Sequence, residues 1–169
     1  MTKPFTRRLL LATFCAFAAS GAFAAATITV SRSMAYAADP AKTWDAVKDF
    51  GALDAWHPAV EMTEIKSGTD NKPGAVRLLS LKGGGTVTET LTSYDAKAHS
   101  MGYRILDGVL PVEGYKSVIA VKANGSGGSK LVWSSSFKAK KGTSDADAKK
   151  AIEGVYDAGL ENLKGKLGN

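Results

Sequence analysis

Cysteine occurs once in this 169-residue chain and histidine only twice, so thiol chemistry and histidine-rich metal sites have almost nothing to build on. The single cysteine, Cys15, falls in an N-terminal stretch that reads as a removable leader. Without it the remaining chain has no disulfide, no thiolate nucleophile and no cysteine-based metal site, which suits an oxidising compartment. Acidic residues are missing before Asp39, and no arginine- or lysine-rich stripe exists beyond Lys138, Lys140 and Lys141, which argues against nucleic acid as a partner. The length excludes separate cofactor and substrate domains, and 44% hydrophobic with 22% charged residues excludes wholesale disorder, collagen and coiled coil.

What is present begins with an export pattern. Lys3, Arg7 and Arg8 form a positive start, residues 9–19 form an apolar run, and Ala22-Phe23-Ala24 is a small-x-small end. This is the pattern of a secretory signal peptide cleaved after Ala24, with residues 25–169 as one mature domain. The apolar stretch is rich in Ala and Gly rather than Leu and Ile, which favours removal over a retained anchor. Arg7-Arg8 hints at the twin-arginine route, and the bulky Phe14 ahead of Cys15 argues against lipid attachment. Removal of residues 1–24 takes three of the 22 basic groups and leaves 19 against 16 acidic ones, a net charge of +3. The expected location is the periplasm, with no stable membrane insertion after cleavage. About 145 residues can bury roughly 68–70% of their unfolded surface, so the domain needs no covalent staple.

The mature chain alternates turn clusters with short β-favouring runs. Residues 25–37 supply a first strand. Asp39-Pro40 predicts a helix start, with Asp accepting from free amides and Pro at the first turn. Trp44, Val47 and Phe50 follow at three-residue spacing, with Gly51 ending that helix and a second short turn at 52–56 stopping before Pro58. Strands are predicted at 60–66, 76–81, 86–94, 101–106, 115–123 and 131–139. Residues 144–167 predict a helix of about six turns, capped by Ser144, with Ile152, Val155, Tyr156, Leu160, Leu163 and Leu167 in one stripe. Gly154 and Gly159 interrupt it at about 1 kcal/mol each relative to Ala, which suggests close approach to a sheet or a ligand.

The run Gly83-Gly84-Gly85 predicts a hairpin loop. With those three in the loop, Leu79 faces Glu89 and Arg77 faces Leu91, so that Arg77 and Glu89 are diagonal neighbours. Arg77, Leu79, Leu81, Val87, Glu89 and Leu91 then share one face, while the other is mostly Thr and Ser. Strand, two short helices, six strands and a long helix define an α+β chain: a curved antiparallel sheet of about seven strands around a C-terminal helix. Such a sheet leaves room against its helix. The expected lining is Arg77, Leu79, Glu89, Leu91, Met101, Tyr103, Tyr115, Ile119, Trp133 and Phe137, with Tyr156 from the helix.

Asp39-Pro40-Ala41-Lys42-Thr43-Trp44, Trp56-His57-Pro58-Ala59-Val60-Glu61, Gly74-Ala75-Val76-Arg77, Glu89-Thr90-Leu91, Tyr103-Arg104-Ile105, Leu110-Pro111-Val112 and Tyr156-Asp157-Ala158-Gly159-Leu160 together resemble the SRPBCC superfamily. These are the START/Bet v 1-like helix-grip proteins, here in the polyketide cyclase/dehydrase branch. The Trp-His-Pro-Ala-Val-Glu and Leu-Pro-Val segments are similar to MxaD-type periplasmic proteins, accessory to methanol oxidation. The resemblance covers about residues 30–167. It implies a helix-grip fold with an apolar cavity, a ligand carrier or sensor and sometimes a cyclase or aromatase, with loops at 83–85 and 107–114 gating the cavity.

Each candidate has two readings. Trp44 is simplest as a core anchor, whereas Trp56 lies where a cavity mouth would fall. His57 could contact a ligand or move a proton, or could simply cap a helix end before Pro58; His99 reads as a solvated turn residue. Arg77 and Glu89 could be a buried structural pair, a polar group offered to a ligand head, or an exposed pair worth about 0–1 kcal/mol. Tyr103, Tyr115 and Tyr156 combine apolar bodies with hydroxyl tips, and could equally be core. No nucleophile–base pair, phosphate loop or metal cluster is legible, so no catalytic residue, metal or cofactor is expected. The reading is a non-catalytic periplasmic protein that binds a small apolar or amphipathic molecule, or assists a periplasmic dehydrogenase or cytochrome. The alternative is a cyclase or aromatase using cavity acid/base groups. The ligand-contacting candidates are Trp56, His57, Arg77, Leu79, Glu89, Leu91, Tyr103, Tyr115, Trp133, Phe137 and Tyr156.

Overall fold

A computed structural model describes residues 26–125 and 127–169; the leader expected at residues 1–24 lies outside them. Strand β1 (Ile28–Tyr36) is followed by helix α1 (Pro40–Asp45) and a 3-10 helix (Phe50–Ala55). Then come β2 (Val60–Ser67), β3 (Val76–Leu81), β4 (Thr86–Asp95), β5 (Ser100–Gly108), β6 (Val112–Ala123), β7 (Ser129–Ala139) and the long helix α2 (Asp145–Leu167). The sheet runs β1-β7-β6-β5-β4-β3-β2, antiparallel throughout: a meander from β2 to β7, with β1 returning to the free edge of β7. This is the helix-grip architecture the element order predicts.

Local chemistry sets the element ends. Asp39 Oδ1 accepts from the Lys42 N–H at 2.8 Å, and Ser144 Oγ accepts from the Asp147 N–H at 3.1 Å, each satisfying an otherwise free amide of a first turn. The first helix is shorter than Trp44–Val47–Phe50 spacing suggested. It stops at Asp45, and the chain restarts as a 3-10 helix at Phe50. Two residues of the β2–β3 connection cause the restart: Asn71 Oδ1 accepts from the Phe50 N–H, and Asp70 Oδ1 from the Gly51 N–H. Gly51 therefore lies inside this second element rather than ending the first. A Cβ there would sit 2.8 Å from Asp70 Oδ2.

The glycine hairpin differs from the expected register by two residues. Ser80 faces Thr86, Leu79 faces Val87, and Arg77 faces Glu89 directly. The loop is Lys82–Gly84, because the Gly84 N–H closes a turn on the Leu81 carbonyl and Gly84 takes φ +87°, a conformation that suits a residue with no Cβ. A two-residue shift preserves which face each side chain takes, so the apolar face with Arg77 and Glu89 still points inward.

Between sheet and α2 lies one apolar core. It includes Tyr36, Leu91, Met101, Ile119 and Leu131 from the strands, and Ala148, Ile152, Tyr156, Leu160, Leu163 and Leu167 from the helix. Trp44 anchors α1 in this core, as expected. His99 does not stand free in solvent: its ring stacks on Trp44, centroids 5.8 Å apart, and its backbone takes φ +49°.

Candidate functional site

Strand alternation points Leu79, Leu81, Val87, Glu89, Tyr103, Ile105, Tyr115 and Trp133 toward α2, which answers with Ile152 and Val155. The 3-10 helix and the turn after it add Leu53, His57, Ala59 and Val60, and the β5–β6 connection adds Leu110. These elements do not close completely, and a cavity of about 90 Å³ remains between them. Larger depressions are open, and one of them, about 680 Å³, lies on the Ser- and Thr-rich outer face of the sheet, where Ser31, Ser134 and Ser136 line it.

Of the residues expected to meet a ligand, His57, Leu79, Glu89, Tyr103, Tyr115 and Trp133 lie on the wall of this cavity. Trp56, Arg77, Leu91, Phe137 and Tyr156 are buried but are not on it, and neither are Met101 and Ile119. The corrections have physical reasons. Leu91, Met101 and Ile119 lie further along the same strand faces, in the buried core at the part of the sheet that α1 packs against rather than beside the cavity. Phe137 stands behind Tyr115, the two rings stacked at 5.9 Å. Trp56 turns onto Trp133, centroids 5.4 Å apart, and its buried indole N–H has no hydrogen-bond partner among the described residues. The wall residues that were not anticipated include Leu81, Val87 and Ile105. Each sits two positions from a named residue on the same strand face, and that spacing was the available signal.

Arg77 and Glu89 are 2% and 5% exposed, which rejects the surface-pair reading. Arg77 Nε donates to Glu89 Oε2 at 2.7 Å, Nη2 forms an ion pair with the same oxygen at 2.6 Å, and Nη1 donates to the Phe50 carbonyl at 2.6 Å. The guanidinium also lies over the Phe50 ring, 4.1 Å from its centroid, and near that of Tyr103. Arg77 thus ties the 3-10 helix to the sheet, behind the cavity wall. Burial pushes the Glu89 carboxyl up from its ordinary range, and the adjacent guanidinium pulls against that rise.

His57 is fully engaged. Its Nε2–H donates to the Val155 carbonyl of α2 at 2.9 Å, and its Nδ1 accepts from the Ala59 N–H at 3.2 Å. Those partners fix the neutral ring with the proton on Nε2. Burial, helped by the charge of Arg77, lowers its pKa from the ordinary value. Gly159 makes the contact possible: a Cβ there would stand 2.8 Å from His57 Cδ2 and about as close to the rings of Trp56 and Trp133. Gly154, by contrast, faces open space and serves no close approach.

A second polar group backs the aromatic wall. Ser117 Oγ donates to the Ser134 carbonyl at 2.9 Å, which uses its only proton. Tyr156 must then be the donor to Ser117 at 3.2 Å, and Tyr115 the donor to Tyr156 at 2.5 Å. Trp133 Nε1–H is shared between Tyr103 Oη at 2.8 Å and Ser117 Oγ at 3.1 Å. Burial raises the pKa of Tyr103, Tyr115 and Tyr156, so all three are neutral phenols at ordinary pH. Among the described residues no group of His, Cys, Asp and Glu could hold a metal ion.

A curved seven-stranded sheet gripping one long helix around a small, mostly apolar cavity defines a ligand-binding class of the helix-grip fold. The chain belongs to the polyketide cyclase/dehydrase and lipid transport family, whose profile matches residues 27–168. It is similar to the protein XoxI from Bacillus cereus, at 28% identity and TM-score 0.76 over 82% of this chain and 94% of that one. A Thermobifida fusca protein is also similar, at 28% identity and TM-score 0.69, covering 80% of this chain and 89% of its own. Ara h 8.0201 shares the fold, at 20% identity and TM-score 0.70 over 83% and 97% of the two chains. No curated protein matches the chain.

Proposed function

We propose that this is a non-catalytic binding protein of the periplasm, which takes a small apolar or amphipathic molecule between sheet and helix and assists an alcohol-oxidising system there. The observation that carries the binding reading is the cavity itself, mostly apolar and held between sheet and helix, with its ionisable neighbours engaged. Both nitrogens of His57 are occupied, and one oxygen of Glu89 holds Arg77. General acid–base work needs a group free to gain or lose a proton at a reacting atom, and His57 has no such freedom. The cyclase alternative would fall to Glu89. At about 90 Å³ the cavity is well below the roughly 300–1,000 Å³ that drug-sized ligands occupy, so it does not suit a polyketide chain. Export is supported by the basic, apolar and small-x-small pattern of residues 3–24, and the accessory role by the resemblance of the Trp56–Glu61 and Leu110–Val112 segments to MxaD-type proteins.

The test is native mass spectrometry of the protein purified from its own cells after periplasmic release, with a parallel capture of partners on the mature chain. The expected result is a chain lacking residues 1–24, carrying a small molecule and retaining a dehydrogenase or cytochrome. A full-length cytoplasmic species that is empty and without either partner would overturn the proposal.

A further inference from the structure

The hydrogen bonds around the cavity leave a definite pattern of unused groups. Tyr103 Oη accepts from Trp133, and the neighbouring Ser117 Oγ cannot take the Tyr103 proton, because it already receives Trp133 and Tyr156 and gives its own proton to Ser134. The Tyr103 O–H therefore finds no acceptor in the hydrogen bonds of the described residues. Tyr115 spends its proton on Tyr156, so its oxygen remains an acceptor. Glu89 Oε2 accepts from Arg77 Nε and is ion-paired with Nη2, and no hydrogen bond from the described residues reaches Oε1. Both tyrosines and Glu89 lie on the cavity wall, and the tyrosine ring centroids are 6.4 Å apart. The rest of the wall is aliphatic: Leu53, Leu79, Leu81, Val87, Ile105 and Ile152 among others.

We infer that the cavity takes a short-chain alcohol, whose hydroxyl oxygen accepts from Tyr103 and whose hydroxyl proton goes to Tyr115 or to the free oxygen of Glu89. This rests on the reading of the cavity as a ligand site. One donor beside two acceptors calls for a guest group that is both acceptor and donor. A ketone or aldehyde can accept from Tyr103 but offers the acceptors nothing, and leaving buried polar groups unpaired is costly. A carboxylate accepts only, and would set a second negative charge against Glu89. An ammonium donates only and leaves the Tyr103 proton unused. Water matches the polar end, but along the aliphatic wall it finds no partners, and buried water is held by about three hydrogen bonds. Size narrows the class further. At about 90 Å³ the space is well below the roughly 300–1,000 Å³ of drug-sized sites, which points to a short-chain alcohol.

The test is methyl and aromatic NMR of the mature protein titrated with propan-1-ol, with propanone as the carbonyl counterpart and xenon as a purely apolar probe. Propan-1-ol is expected to shift Leu79, Ile152 and the Tyr103 ring saturably, with a dissociation constant on the order of millimolar. Propanone is expected to bind about three- to tenfold more weakly, and Tyr103→Phe to weaken propan-1-ol about as much while leaving xenon uptake unchanged. Xenon in the Tyr103→Phe variant reports that the cavity still folds. If propanone binds as tightly as propan-1-ol, or Tyr103→Phe leaves the alcohol unaffected, the alcohol assignment is overturned while the cavity remains a binding site. Entry of xenon without propan-1-ol has the same meaning. If neither enters, the ligand-binding reading itself falls.

Discussion

The two halves of α2 meet the sheet in different ways. From Tyr156 to Leu167 the helix is clamped. Tyr36 donates to the Leu160 carbonyl, the Ala38 N–H donates to the Leu167 carbonyl, and Asn162 and Lys166 donate to the carbonyls of Trp56 and Ala55. Gly159 lets the rings of Trp56, His57 and Trp133 close to contact distance. From Asp145 to Val155 the helix offers the interior Ala148, Ile152 and Val155, and the cavity opens beside Ile152 and Val155. His57, bonded to the Val155 carbonyl, marks the border. Close packing in one half fixes the helix, and the space in the other half is what the fold leaves for a guest.

The comparison can be broken most severely from the open side. Glu89→Gln leaves the Arg77 charge buried without its counter-ion and is expected to cost about 3–5 kcal/mol. Urea unfolding should show a lower midpoint with an unchanged slope, and a double variant, Glu89→Leu with Arg77→Met, should recover most of the loss. An unaltered midpoint for Glu89→Gln would mean that the pair does not anchor this side. On the packed side, Gly159→Ala forces a methyl against rings that cannot yield, and an overpacking cost of about 1–3 kcal/mol should exceed the gain in helix propensity.

The border residue gives a pH dependence. With its pKa lowered by burial, His57 binds fewer protons folded than unfolded, so its share of stability is complete above the ordinary value of 6.5 and is lost as pH falls below it. His57→Gln should flatten the stability profile between about pH 5 and 7, read as unfolding midpoint against pH; an identical profile in the variant would contradict the neutral clamp. The smallest expected effect sharpens the contrast between the two glycines. Gly154→Ala enters open space on a helix interior and should stabilise by up to about 1 kcal/mol, opposite in sign to Gly159→Ala.

Much of this architecture was legible because it rests on short-range rules. The Ser144 and Asp39 caps, the turn clusters and the inward face of β3 and β4 follow from residue type and spacing alone. The hairpin register was not legible, because Gly83, Gly84 and Gly85 each accept loop conformations and only the Gly84–Leu81 closure selects one. The 3-10 restart at Phe50 was hidden for a related reason: its two capping side chains, Asp70 and Asn71, come from 20 or so residues away.

The sequence by itself determined which side chains face the helix, because strand alternation and helical periodicity are properties of the local backbone. It also placed a charged pair among them, and a glycine where α2 must approach closely. Only the tertiary structure decided where along those faces space is left, and so why Leu81, Val87 and Ile105 line the cavity while Leu91, Met101 and Ile119 do not. Depth along a strand depends on sheet curvature and helix tilt, which are sums over many distant contacts. The direction of each proton between Tyr115, Tyr156 and Ser117 likewise depends on one remote carbonyl, that of Ser134, and no local pattern encodes it.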